Sequence, residues 1–187
     1  MSRAFVSESD SDYQDEDLPA IKVPLPPGAR NYMTPEGADR LKSELYQLVH
    51  TERPKAAALL SRQVAGSEST DHQAVGISRR RLRELDRRIE YLNEMVGRLE
   101  VVDTAGKNQE RVQFGAAVTV AEENGATRVY RIVGVDESRP ESGLISWISP
   151  LARALVGART GEVVMVELPE QSVKLKIIEI SHRPPSS

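Results

Sequence analysis

Arg81-Leu82-Arg83-Glu84-Leu85-Asp86-Arg87-Arg88-Ile89-Glu90-Tyr91-Leu92-Asn93-Glu94-Met95-Val96-Gly97-Arg98-Leu99 is the stretch that decides the fold. Its apolar residues Leu82, Leu85, Ile89, Leu92, Val96 and Leu99 alternate at spacings of three and four without a break. That is a coiled-coil seam, narrower than the apolar stripe of a helix on a globular core. A second apolar series, Ala38, Leu41, Leu45 and Leu48, lies upstream, beyond the polar stretch Gly66-Ser67-Glu68-Ser69-Thr70-Asp71. Two such helices joined by a polar turn fold back on each other. The expected product is a finger with Glu68 and Asp71 near its tip.

Each arm has readable ends. Thr34-Pro35-Glu36 is a helix start: Thr as N-cap, Pro at the first helical position, and an acid where the helix dipole favours one. The first helix is predicted from Pro35 to the low 60s, kinked near Pro54, which lacks a donor and clashes with the carbonyl of His50. Beyond the kink, Ala56, Leu59, Leu60 and Val64 are read as a resumed apolar face. The second helix is predicted over Ile77–Glu100.

Work outward from the finger and the chain divides. Residues 1–31 read as a disordered leader. Glu8, Asp10, Asp12, Asp15, Glu16 and Asp17 face a single Arg3 in its first part, and a proline-rich run follows. Such composition buries too little apolar surface to offset the entropy of ordering, although Phe5 and Val6 are candidates for specific docking. Residues 32–102 are assigned to the antiparallel hairpin and 103–111 to a linker. Residues 112–181 carry strand patterns at Val112–Val120, Arg128–Val135, Leu144–Ile148, Val163–Leu168 and Val173–Ile180. The first two flank Asn124-Gly125, a strong hairpin signal. Ser149-Pro150 opens a short helix, in which Leu151 and Leu155 are read as core. Residues 182–187 form a tail. The fold class is α+β.

Composition narrows the function. The 187 residues carry a formal net charge of -3 and no cysteine, which excludes disulfides and thiolate metal sites and argues against indiscriminate binding of nucleic acid. No run approaches a membrane span and no signal peptide is visible, so a cytoplasmic protein is expected. His50, His72 and His182 are not at ligand spacing, and no nucleophile or phosphate loop is present. An enzyme with its own active site is not expected.

Two clusters are left to carry chemistry. Glu68 and Asp71, three residues apart, share a face if helical, and paired carboxylates suit a hard cation such as Mg²⁺. Two ligands alone make a weak site, so a partner must supply the rest; ordinary polar loop residues are the competing reading. Arg79, Arg80, Arg83 and Arg87, with Arg81 and Arg88, make a basic stripe that suits nucleic-acid phosphates. Pairing with Glu84, Asp86 and Glu90 on the same helix is the alternative.

The order of motifs then resembles a family. Thr34-Pro35-Glu36-Gly37, Glu52-Arg53-Pro54, Arg81 to Leu92, Phe114-Gly115-Ala116, Arg131-Ile132-Val133-Gly134 and Ser149-Pro150-Leu151-Ala152-Arg153-Ala154-Leu155 are similar to bacterial transcript-cleavage factors of the Gre type, GreB more than GreA. The resemblance implies a coiled coil followed by an FKBP-like domain that docks on RNA polymerase, with Pro150 and Arg153 at the docking surface. A hairpin that satisfies its own seam is expected to be a monomer, and no cofactor of its own is expected. The finger would enter the secondary channel and meet the nascent RNA 3′ end. There Glu68 and Asp71 would help hold the polymerase's Mg²⁺ while the polymerase cleaves backtracked RNA.

The tip departs from the family pattern Gly-Asp-x-Ser-Glu-Asn-Ala-Glu/Asp-Tyr. In a gapless register Glu68 and Asp71 occupy the Asp and Glu positions, swapped; in a shifted register Glu68 takes the Glu position and His72 the aromatic one. A channel-binding regulator without cleavage activity and a coiled-coil adaptor for another partner are the remaining readings.

Overall fold

The computed structural model describes residues 24–66, 72–103, 110–167 and 172–181. Residues 1–23 of the expected leader, the tip residues Glu68 and Asp71, most of the expected linker and the tail lie outside the described residues.

The helical half is a hairpin closed at its base by a small sheet. Strand β1 (Asn31–Met33) leads into α1 (Pro35–Gln47), a π turn (Leu48–Glu52) and α2 (Arg53–Ala65). The returning arm is α3 (His72–Gly97), followed by β2 (Leu99–Val101), which pairs in parallel with β1. Thr34 caps α1 as its sequence predicts, its hydroxyl accepting from Gly37 N at 3.1 Å. Glu44 with Arg88 (2.7 Å) and Arg53 with Asp86 (2.5 Å) tie the arms together from outside the seam.

Pro54 shapes the outgoing arm without splitting it. Arg53 N donates to the carbonyl of Leu48, five residues back, so the ladder has already slipped by one where proline lacks its donor. The extra residue of that turn re-phases the seam. Before it the inward positions are Ala38, Leu41, Leu45 and Leu48; after it they are Ala56, Leu60 and Gln63. The apolar face expected at Leu59 and Val64 therefore turns outward, with both side chains more than half exposed. On α3 the seam begins earlier than the heptads suggest, with Val75 and Ser78 buried ahead of Leu82. The helix also ends earlier, at Gly97, and Leu99 serves the strand instead.

The ordered chain starts well before residue 31. Leu25 is buried in one cluster with Met33, Ala38, Leu41, Leu92 and Met95, so the proline-rich run packs onto the hairpin base. Likewise, Leu99–Val101 and Asn31–Met33 pair as strands where the end of the second helix and the junction of leader and hairpin were expected.

The second half is a five-stranded curled sheet in the order β5-β4-β3-β7-β6, formed by β3 (Ala117–Glu122), β4 (Thr127–Val133), β5 (Leu144–Ser146), β6 (Val163–Glu167) and β7 (Ser172–Ser181). The β3–β4 hairpin turns at Asn124-Gly125, with Gly125 at φ 85° and the Asn124 side chain accepting from Ala126 N. Only β4 and β5 pair in parallel. Helix α4 (Pro150–Leu155) is capped by Ser149 and buries Ala152 and Leu155 against Val118, Val120, Ile132 and Ile177. Leu155 is core, as expected, and Leu151 packs at the core's edge.

Candidate functional site

Three features of the described molecule bear on function: the joint between the halves, a cleft beside it, and the arginine face of α3.

The joint is built on Glu137, a buried acid at the end of the turn after β4. Its carboxylate accepts from Thr34 N and Gly134 N, each at 3.0 Å, and from the Thr34 hydroxyl. Arg40 stands 3.7 Å away. Since Thr34 is the N-cap of α1, the carboxylate sits where the helix dipole and free N–H groups favour negative charge. One acid thus fixes the base of the hairpin to the sheet domain. A second tie is polar and more exposed: the Tyr91 hydroxyl donates to Asp136 at 2.7 Å, with the Arg88 guanidinium over the Tyr91 ring at 5.2 Å. Burial, then the hydrogen bond to Asp136 and its charge, push the Tyr91 phenol above its usual range. Arg88 is held further toward its charged form, chiefly by its hydrogen bond to Glu44.

The cleft lies beside this joint. Tyr32, Val102, Phe114, Ile132, Trp147, Arg153 and Val156 line about 420 Å³ of mostly apolar space. Tyr32 meets Trp147 edge-on at 5.3 Å, and Trp147 packs against the cores of both halves. The Trp147 indole N–H is buried and has no acceptor among the described residues. Exposed Arg153 brings one cation to this surface. Pro150, one turn earlier on α4, is exposed but does not line the cleft. Apolar walls, one unused donor and one cation suit an apolar side chain with an acidic group near it.

On α3, Arg79, Arg80 and Arg83 are exposed and project on one face away from the seam. Asp86 is drawn across to Arg53 and Glu84 pairs with Arg81, so these three arginines form no ion pair with the described residues. Arg87 lies on the same face, partly buried. The described windows on either side of residues 67–71 carry cations alone: residues 53–66 and 72–83 include Arg53, Lys55, Arg62, Arg79, Arg80, Arg81 and Arg83 but no acid. Among the described residues no group of three or more His, Cys, Asp or Glu is placed to hold a metal, and no helix is long and apolar enough to cross a membrane.

The predicted site residues are thus not gathered in one place. The arginines are on the outer hairpin, Arg153 is at the cleft, and Glu68 and Asp71 fall outside the described residues. Glu137, Asp136 and Tyr91 were missed as functional residues. Their signals are weak, an acid after a strand and a tyrosine beside the seam. Yet Thr34 to Gly37 and Ile132 to Gly134 are the very segments that Glu137 joins.

Comparison with known proteins agrees with this architecture. Residues 31–101 match the family model for the N-terminal part of a transcription elongation factor, and residues 107–182 match the model for the GreA/GreB C-terminal part. The chain belongs to the GreA/GreB family of transcription elongation factors. The transcription elongation factor GreB of Neisseria meningitidis serogroup B is 36% identical over 154 residues, covering 82% of this chain and 94% of that one. The GreB of Haemophilus influenzae is 39% identical over 150 residues, covering 80% and 95%. Among solved structures, Thermus aquaticus Gfh1 aligns with a TM-score of 0.39 at 22% identity, covering 81% and 97%. This Gre-family chain is GreB-like, and it is a transcription elongation factor, an accessory to RNA polymerase and not an enzyme in its own right.

Proposed function

We propose that this Gre factor works in the cytoplasm as a monomer, docking its sheet domain on RNA polymerase and passing the hairpin through the secondary channel to promote cleavage of backtracked RNA. The carrying observation is the division of labour in one molecule joined through Glu137: a cleft with an adjacent cation beside the joint, and a hairpin with an exposed arginine face. The order of strands around α4 supports reading the docking domain as FKBP-like. Arg153, with Pro150 beside it, is the docking contact.

In the channel, Arg79, Arg80, Arg83 and Arg87 face RNA phosphates near the nascent 3′ end. Glu68 and Asp71 supply carboxylate oxygens of the kind Mg²⁺ prefers, completing a site that the polymerase holds in part. When bound, Mg²⁺ lowers the pKa of a coordinated water and stabilises developing charge. The gapless register of the tip is supported by burial: it places Val75 at the family's aromatic position, and Val75 is buried in the seam while His72 is exposed. Glu68 then takes the first acid position and Asp71 the second.

The test is direct. Stalled, backtracked polymerase complexes are incubated with the protein and Mg²⁺, and release of short 3′ RNA is followed. Release above the intrinsic rate is expected. Tight polymerase binding with no added release would leave a channel-binding regulator instead, and no association at micromolar concentration would point to an adaptor for another partner.

A further inference from the structure

We infer that two copies of this chain pair along the outer edge of β6, antiparallel and centred on Met165, when the protein is free. The inference concerns the sheet domain alone and is independent of the polymerase-bound monomer proposed above.

The open edge is the first argument. β6 ends the sheet, and among the described residues it pairs with β7 alone. The opposite edge, β5, is three residues long and carries a bridge between Leu144 and Arg139. Sheets blunt a free edge with lysine, proline or a bulge, because its unpaired backbone groups template another strand. Val163-Val164-Met165-Val166-Glu167 has neither lysine nor proline, and its valines favour extended backbone. Val163 and Met165 are 59% and 55% exposed. Ile177 N donates to the Glu162 carbonyl at 2.9 Å, and the next pair along the ladder is Val163 with Lys176. Alternation along an antiparallel ladder then turns the backbone groups of Val164 and Val166 toward β7, and those of Val163, Met165 and Glu167 outward. The side chains of the last three share the exposed face of the sheet, while Val166 belongs to the core.

Self-complementarity is the second. Lys174, beside Met165 on β7, is held by Glu123 at 3.3 Å. Lys176, beside Val163, is exposed and forms no ion pair with the described residues. A strand that fits this edge therefore brings backbone groups to Val163, Met165 and Glu167, an apolar side chain to Met165, and an acid opposite Val163. β6 of a second copy, run antiparallel, supplies all of these. Met165 meets Met165 of the second copy, and Val163 meets its Glu167. Two strand spacings of ~4.8 Å separate that glutamate from Lys176, within the combined reach of two long side chains. On the other face Val164 and Val166 lie opposite each other. A slip of one residue would set outward backbone groups against inward ones, and a slip of two would leave one end of β6 unpaired. The contact is isologous: one two-fold axis through Met165 joins two sheets into a single larger one.

Sedimentation velocity of the full chain tests this between ~1 µM and ~1 mM, the range of weak association. The sedimentation coefficient should rise from that of a monomer to that of a dimer as concentration increases. Met165→Lys and Met165→Glu should each abolish the rise, because like charges then stand directly opposite at the axis. Mixed in equal amounts, the two variants should dimerise again, since lysine now faces glutamate. Met165 is exposed, so the fold is retained, and recovery in the mixture reports folded protein directly. Residue 165 faces itself only in the proposed register, so the exchange of charge reads that register. A chain that stays monomeric at ~1 mM, a dimer that survives either substitution, or a mixture that stays monomeric would overturn the proposal. So would a monomer whose Val163, Met165 and Glu167 amide signals move only when polymerase is added, which would give the edge to a different partner.

Discussion

Gly37 has room for a hydrogen and nothing larger. A Cβ there would fall 2.2 Å from the Glu137 carboxyl carbon, and one on Gly134 would fall 2.6 Å from the Tyr32 carbonyl oxygen. Two glycines thus let the hairpin base and the sheet close around one carboxylate. Gly37→Ala should destabilise the protein by about 1–3 kcal/mol through overpacking. Glu137→Ala should cost a similar amount, about 1–3 kcal/mol for each buried donor left unpaired. Their coupling is the sharper prediction. In the Glu137→Ala background the clash is gone, so Gly37→Ala should cost almost nothing in urea unfolding; additive losses would contradict the geometry. Tyr91 gives a pH signature at the same joint. Its neutral form is favoured in the folded state, so its contribution is fully present below pH about 10 and lost as pH rises through the raised folded value. Tyr91→Phe should therefore flatten the alkaline fall in stability above pH 10, and identical slopes for the two proteins would refute the assignment.

At the scale of elements, the seam and the π turn explain each other. Leu48 and Ala56 can both face α3 only because the turn over Leu48–Glu52 holds one residue more than an α-helix would. Removing that residue should leave the seam in phase. Deletion of Thr51 together with Pro54→Ala, which restores a regular ladder, should keep the thermal midpoint within about 4–8 °C, a change of ~1 kcal/mol for a domain of this size. Deletion of Arg83 in α3 should instead unfold the outer hairpin, because it rotates every later seam residue by ~100°. Equal tolerance of both deletions would show that the seam does not set the register. The heptads made α3 legible, since period and caps are local signals. Pro54 announced an irregularity, but proline chemistry allows a kink, a break or a slipped ladder, and the choice depends on the partner helix. The β1–β2 pair was illegible because its strands are three residues each and their paired residues lie 68 positions apart, so the pairing is set only once the hairpin exists.

For the whole molecule, the division into an α-helical hairpin and an α+β domain was readable from pattern, because each half buries its own apolar set. The joint was not. Glu137, Trp147 and Tyr32 acquire their roles only when the two halves meet, and no periodicity marks such a meeting. The arginine face was visible as composition, but only the cross-arm pairing of Asp86 with Arg53 shows which arginines stay available. Under the proposed function, Glu68 and Asp71 act at a distance from the cleft, at the far end of a hairpin whose returning arm alone is about 39 Å long by its 26 residues. Binding and chemistry should therefore separate on mutation. The decisive measurement is cleavage of backtracked RNA by Glu68→Ala and Asp71→Ala proteins, with polymerase affinity determined on the same preparations. Each variant should lose its stimulation of 3′ RNA release by about 100-fold or more, as expected when a catalytic ligand is removed or displaced by ~1 Å, while polymerase affinity is unchanged. Cleavage at the wild-type rate in both variants would contradict the account.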